Sequence, residues 1–118
     1  MKTTLSLIAA LAILNLASPA FAQNVIAPGA KLEKLAGDFA FTEGPTCDKK
    51  GNVFFTDQPN DRIMEWSVDG KLSTFLQPSG YANGEEFDAA GNLIACADEH
   101  NALWSITPDK KISILVTN

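Results

Sequence analysis

Two oxygen-bearing side chains, Glu43 and Asn83, stand at the same point of a repeated pattern, each followed by glycine. A carboxylate and a carboxamide are hard donors of the kind calcium takes. If equivalent positions of the repeat face one axis, the two converge. If they do not, both are solvent-facing turn residues. Other residues with chemical reach are few. His100 is the sole histidine and sits in the loop Asp98-Glu99-His100-Asn101. Tyr81 lies in register with Phe41, just ahead of Asn83. Tyr81 and His100 are therefore candidates for the entrance of a site at that end. Asp57 and Asp61 bracket a loop, and turn capping is the simpler reading of both. Glu85 and Glu86 are neighbours in a strand-like stretch, so at most one of them points inward. Cys47 and Cys96 have no second Cys or His at zinc-ligand spacing. They read as buried free thiols in two different strands, with a disulfide also permitted.

These residues are positioned by the repeat itself. Laid over itself with Glu43 on Asn83, the sequence matches without a gap: Gly44 meets Gly84, Asp48 meets Asp88, Gly51-Asn52 meets Gly91-Asn92, and Lys71 meets Lys111. Apolar positions agree between them, as with Phe54 and Ile94 or Phe75 and Leu115. Each copy divides into four short strand-like pieces. They cover 44–47, 52–57, 62–67 and 71–76, then 84–87, 92–97, 102–107 and 111–116. The separators are turn chemistry. Asp48 and Asp88 cap tight loops in which Gly51 and Gly91 take a positive φ, and Asp69-Gly70 is a hairpin signal with Asp109-Lys110 as its weaker counterpart. Four short antiparallel strands in every copy of a repeat this long is the pattern of a β-propeller blade. A stacked β-solenoid is the rival, with shorter repeats as a rule. Trp66 and Trp104 are expected to pack between sheets.

The stretch 1–22 reads separately. Lys2, the uncharged apolar run from Leu5 to Leu16, and Ala20-Phe21-Ala22 predict a secretory signal peptide cleaved before Gln23. The run is too short to span a bilayer. An exported protein, periplasmic or secreted, is the expectation, with no membrane contact after cleavage. From Gln23 on, eight basic residues oppose fourteen acidic ones, a net charge of −6. That balance argues against nucleic acid as a partner. The expected organisation is a signal peptide over 1–22, an N-terminal segment over 23–42 able to supply a ring-closing strand, blade 1 over 43–82 and blade 2 over 83–118.

Four stretches carry a resemblance. Phe41-Thr42-Glu43-Gly44-Pro45, Phe55-Thr56-Asp57-Gln58-Pro59-Asn60-Asp61-Arg62-Ile63, Pro78-Ser79-Gly80-Tyr81-Ala82-Asn83-Gly84 and Leu93-Ile94-Ala95-Cys96 resemble the gluconolactonase / senescence-marker-protein (regucalcin) family. The match runs from about Leu35 to Leu115. The resemblance implies an all-β, six-bladed propeller with a divalent cation, usually calcium, in its channel. It implies a metal-dependent lactone hydrolase acting on a small-molecule lactone, with some relatives hydrolysing organophosphates. On that pattern Glu43 matches a metal ligand. Asn83 matches a channel residue that contacts metal or substrate. The family's later ligands and its base have no counterpart up to Asn118, so the catalytic residue is unassigned. The expectation is an N-terminal, roughly two-bladed fragment, inactive alone. A non-catalytic sugar-binding or interaction propeller is one alternative. A two-blade module that self-associates through uncovered blade faces, closing a ring as a trimer, is another.

Overall fold

A computed structural model describes residues 26–117, so the expected signal peptide over 1–22 lies outside the described residues. The chain divides into two units, 1–33 and 34–118. Of the first, the described part holds a turn in which the Ala30 N–H donates to the Ala27 carbonyl at 3.0 Å. Among the described residues no helix is long and apolar enough to cross a membrane.

The second unit is two four-stranded antiparallel sheets, each in simple meander order. Blade 1 comprises β1 (Thr42–Cys47), β2 (Val53–Asp57), β3 (Arg62–Trp66) and β4 (Leu72–Leu76). Blade 2 comprises β5 (Ala82–Phe87), β6 (Leu93–Ala97), β7 (Ala102–Ile106) and β8 (Ile112–Thr117). Every strand of blade 2 starts at the repeat position where its counterpart starts: Thr42 matches Ala82, Val53 matches Leu93, Arg62 matches Ala102 and Leu72 matches Ile112. Even the irregularities repeat. Bulges fall between Glu43 and Thr46 and between Ala82 and Glu85, and again at the third-strand positions Ile63/Met64 and Leu103/Trp104. Described residues 26–41 contain no strand. The expected all-β, propeller-type fold is what the chain adopts.

The hairpin loops form as their chemistry dictates. The Asp48 carboxylate accepts from the Lys50 and Asn52 N–H groups at 2.8 and 2.9 Å. Asp88 accepts likewise from Asn92 at 2.8 Å. Gly51 and Gly91 have φ of 92° and 90°.

Cross-strand partners share a face, so register shows what each sheet buries. Phe54, Thr56 and Ile63 look from blade 1 toward blade 2, and Phe87, Leu93, Ala95, Trp104 and Ile106 look back. The apolar residues among these form one core that spans both sheets. Phe54 meets Phe87 edge-on at 5.0 Å across the junction. Ile63 and Ile106 are fully buried, each worth about 1.5–3 kcal/mol in removal from water.

Both cysteines are free and exposed, which corrects the expectation that they are buried. Cys47 pairs with Val53 and Cys96 with Leu103, placing each on the outer face of its blade, the one turned away from the other sheet. Those faces look in opposite directions, so the two thiols of one chain do not meet. Trp104 packs between the sheets at 8% exposure, as expected. Trp66 instead lines a hollow on the outer face of blade 1.

Candidate functional site

The starts of β1 and β5, the ends of β2 and β6, and the short 3-10 turns that follow gather at one end of the two sheets. Here the backbones of Glu43 and Asn83 lie side by side. The Thr56 hydroxyl reaches the carbonyls of both, at 3.1 Å to Glu43 and 3.4 Å to Asn83. Gly44 has φ +59°, and a Cβ on it would stand 2.2 Å from the Asn83 carbonyl oxygen. The approach of the two strands thus demands glycine, which explains the Glu-Gly and Asn-Gly pairs only in part, since Gly84 has open space around it.

Glu43 is half-buried; its cross-strand partner is Thr56, which looks toward blade 2, and the residue also borders the outer-face hollow beside Thr42, Phe39, Phe55 and Trp66. Asn83 is half-buried and takes no part in that hollow. Among the described residues no three His, Cys, Asp or Glu side chains are grouped to hold a metal. The donor types therefore suit a hard cation, and their number falls short of the six to eight oxygens calcium takes.

The entrance candidates sit at the same end. Tyr81 adopts φ 52° and is 38% exposed. Its neighbour Gly80 accepts the Glu99 N–H at 3.1 Å, which brings the His100 loop beside it. His100 is half-exposed, stacked on Trp104 at 5.6 Å and 22°, and 3.6 Å from the Glu99 carboxylate. Gly80 is pressed by Trp104, whose ring atom would lie 2.7 Å from an added Cβ.

Asp57 and Asp61 do more than cap a turn. Fully buried Asp57 accepts from Arg62 Nε and Nη2 at 2.9 and 2.7 Å, from Asn60 at 2.8 Å, and from the Ala40 N–H at 2.9 Å. Burial alone raises its pKa, but the bonds from Asn60, Arg62 and the Ala40 and Phe41 amides outweigh this and hold the carboxyl below its usual value. Asp61 accepts from the Ser79 N–H and hydroxyl at 2.9 and 3.0 Å and from the Tyr81 N–H at 2.8 Å. It ties blade 1 to the segment entering blade 2.

Glu85, on β5, is a further carboxylate near this end. It pairs with Ala95 and so shares the face that meets blade 1. Both carboxyl oxygens are buried with no hydrogen-bond partner. Burial pushes its pKa up to about 8.

The architecture and this end of it define a class: two consecutive blades of a propeller whose strand starts carry oxygen donors. No family model matches the chain. A gluconolactonase of Zymomonas mobilis is 40% identical over 102 residues, covering 74% of this chain and 29% of the relative. A solved structure described as a gluconolactonase candidate is 33% identical with a TM-score of 0.70, covering 75% of this chain and 31% of that one. Virginiamycin B lyase of Staphylococcus aureus, 22% identical with a TM-score of 0.62 over 75% of this chain and 32% of its own, shares the fold alone. Over the stretch compared, the chain is a homologue of the gluconolactonases, and it spans less than a third of their length.

Proposed function

We propose that this chain supplies the first two blades of a metal-dependent lactonase of the gluconolactonase type, exported to the periplasm or beyond. The observation that carries the reading is the abutment of the Glu43 and Asn83 strand starts, both carbonyls within reach of Thr56, in a chain 40% identical to a gluconolactonase. Glu43 would hold a divalent cation, calcium by preference. Asn83 would join it or hold the substrate. A cation bound there supplies Lewis acidity toward a lactone carbonyl and its developing oxyanion. Tyr81 and His100 would border the route by which a small lactone arrives. With two ligands, these blades alone bind calcium weakly and do not turn over lactone.

A chimera tests this. Residues 34–117 replace the matching part of the Zymomonas gluconolactonase, and gluconolactone hydrolysis is followed with and without a chelator. The reading predicts chelator-sensitive hydrolysis that falls at least about 100-fold in Glu43→Gln, the order of loss for an electrostatic catalytic group. A folded chimera in which Glu43→Gln retains full activity would refute it.

A further inference from the structure

The chain between β2 and β3 grips both of the strand starts that carry Glu43 and Asn83. Thr56, near the end of β2, donates toward the carbonyls of both residues. Asp57 follows it, fully buried, and its Oδ1 accepts from the Ala40 and Phe41 N–H groups at 2.9 and 3.3 Å, just ahead of Glu43. Its Oδ2 is held by Arg62, whose Nη2 also donates to the Asp38 carbonyl at 3.1 Å. The Gln58 N–H donates to the Phe41 carbonyl at 3.1 Å. Beyond the 3-10 turn Gln58–Asn60, Asp61 grips the other strand. Its Oδ1 takes the Ser79 N–H, the Ser79 hydroxyl and the Tyr81 N–H at 2.9, 3.0 and 2.8 Å, just ahead of Asn83. The Gln77 side chain adds a bond to the Asn60 carbonyl at 3.2 Å. An aspartate that only caps a turn takes backbone donors within that turn. Here the backbone donors lie 16 and 17 residues before Asp57, and 18 and 20 residues after Asp61. The loop after β6 carries Ala97 and Asn101 at the matching places, so the device occurs once.

We propose that Thr56, Asp57 and Asp61 are positioning residues for Glu43 and Asn83: one short stretch of chain clamps both strand starts to a single frame and so sets the distance between the two side chains. Neither aspartate needs to touch the ligand, because each acts through the backbone it holds. The consequence for a cation rests on the function proposed above; the consequence for the strand starts does not. Groups that orient metal ligands typically govern affinity by about 10- to 100-fold. The two aspartates differ in what can replace them. Asp61 uses one oxygen for all three bonds and has φ 51°, a conformation that asparagine and glycine tolerate. Asp57 uses both oxygens, so an amide there would turn its own N–H groups onto Arg62 or the amides at 40 and 41.

Nuclear magnetic resonance and calcium titration of the whole chain test the proposal in Asp61→Gly, Asp61→Asn and Asp57→Ala. Asp61→Gly is expected to shift and broaden the backbone resonances of residues 82–84 and to leave those of β7 and β8 in place. Asp57→Ala is expected to do the same to residues 42–44. Both are expected to lower calcium affinity at least tenfold. Asp61→Asn, which keeps the acceptor, is expected to restore the wild-type resonances at 82–84 and an affinity within about twofold of wild type. The Asp61 pair decides the question if Asp57→Ala does not fold. Changes of equal size throughout both blades, as lost stability alone would give, overturn the proposal. So does an Asp61→Gly variant whose residues 82–84 stay as in the wild type, or a calcium-binding wild type whose affinity neither Asp61→Gly nor Asp57→Ala lowers. A wild type that binds no calcium while the resonances follow the expected pattern removes the cation reading and upholds the clamp.

Discussion

Blade 1 and blade 2 share a backbone down to their bulges, yet they hold the site end by different means. In blade 1 a buried carboxylate, Asp57, collects Arg62, Asn60 and the incoming chain at 40–41. In blade 2 the matching positions are Ala97, Ala102 and His100, and Ala97 is buried among apolar neighbours. The contrast continues at the first strands, where Gly44 is wedged against Asn83 while Gly84 is unencumbered. The repeat sets the path of the chain. The electrostatic fastening is added once, in blade 1.

The largest effect separating the blades should come from Asp57→Ala. Removing the carboxylate strands Arg62 and two amide groups, and we expect a loss of about 3 kcal/mol in urea unfolding. The reciprocal change, Ala97→Asp, buries a charge without an arginine opposite and should also destabilise. If Ala97→Asp were neutral, the blades would not differ as described. Next comes Gly44→Ala, with an expected cost of about 2 kcal/mol from overpacking against backbone. Gly84→Ala, with nothing near its added methyl, should fall within about 0.5 kcal/mol of wild type.

Glu85→Leu should stabilise by about 1–2 kcal/mol, since it removes a buried, unpartnered carboxyl. It should also alter the pH profile. Glu85 titrates near 8 in the folded chain against an ordinary value of 4.5, so the native state holds the extra proton between them. Its contribution is complete below about 4.5 and declines as pH rises toward 8, by up to about 1.4 kcal/mol per pH unit. Denaturation midpoints across that window check the slope, which Glu85→Leu should lack. Asp57 runs the other way. Its depressed pKa gives stability that is present above the ordinary carboxylate range and lost as pH falls through the native value. Asp57→Ala should blunt the acid end of the profile.

Much of the fold was legible because turn residues and period-two alternation are local signals. Asp48, Gly51 and Asn52 announced a loop that the structure forms with those same groups. The strand starts followed closely. What stayed hidden depends on distant partners. Asp57 and Asp61 looked like turn caps because the amides that donate to them, at Ala40 and at Ser79 and Tyr81, lie far off along the chain. The cysteines looked buried because strand alternation gives two faces and does not say which one a neighbour covers. Glu85 was unreadable because the bulge between Ala82 and Glu85 resets the alternation. Without that bulge it would share a face with Asn83.

Whether Glu43 and Asn83 act on one cation, as proposed, is tested most directly by calorimetric titration of the chain with calcium. Weak, saturable binding in about the millimolar range, lost in both Glu43→Gln and Asn83→Ala with circular dichroism unchanged, is the predicted result. Calcium binding that persists in both variants, or that is absent from the wild type at tens of millimolar, would contradict it.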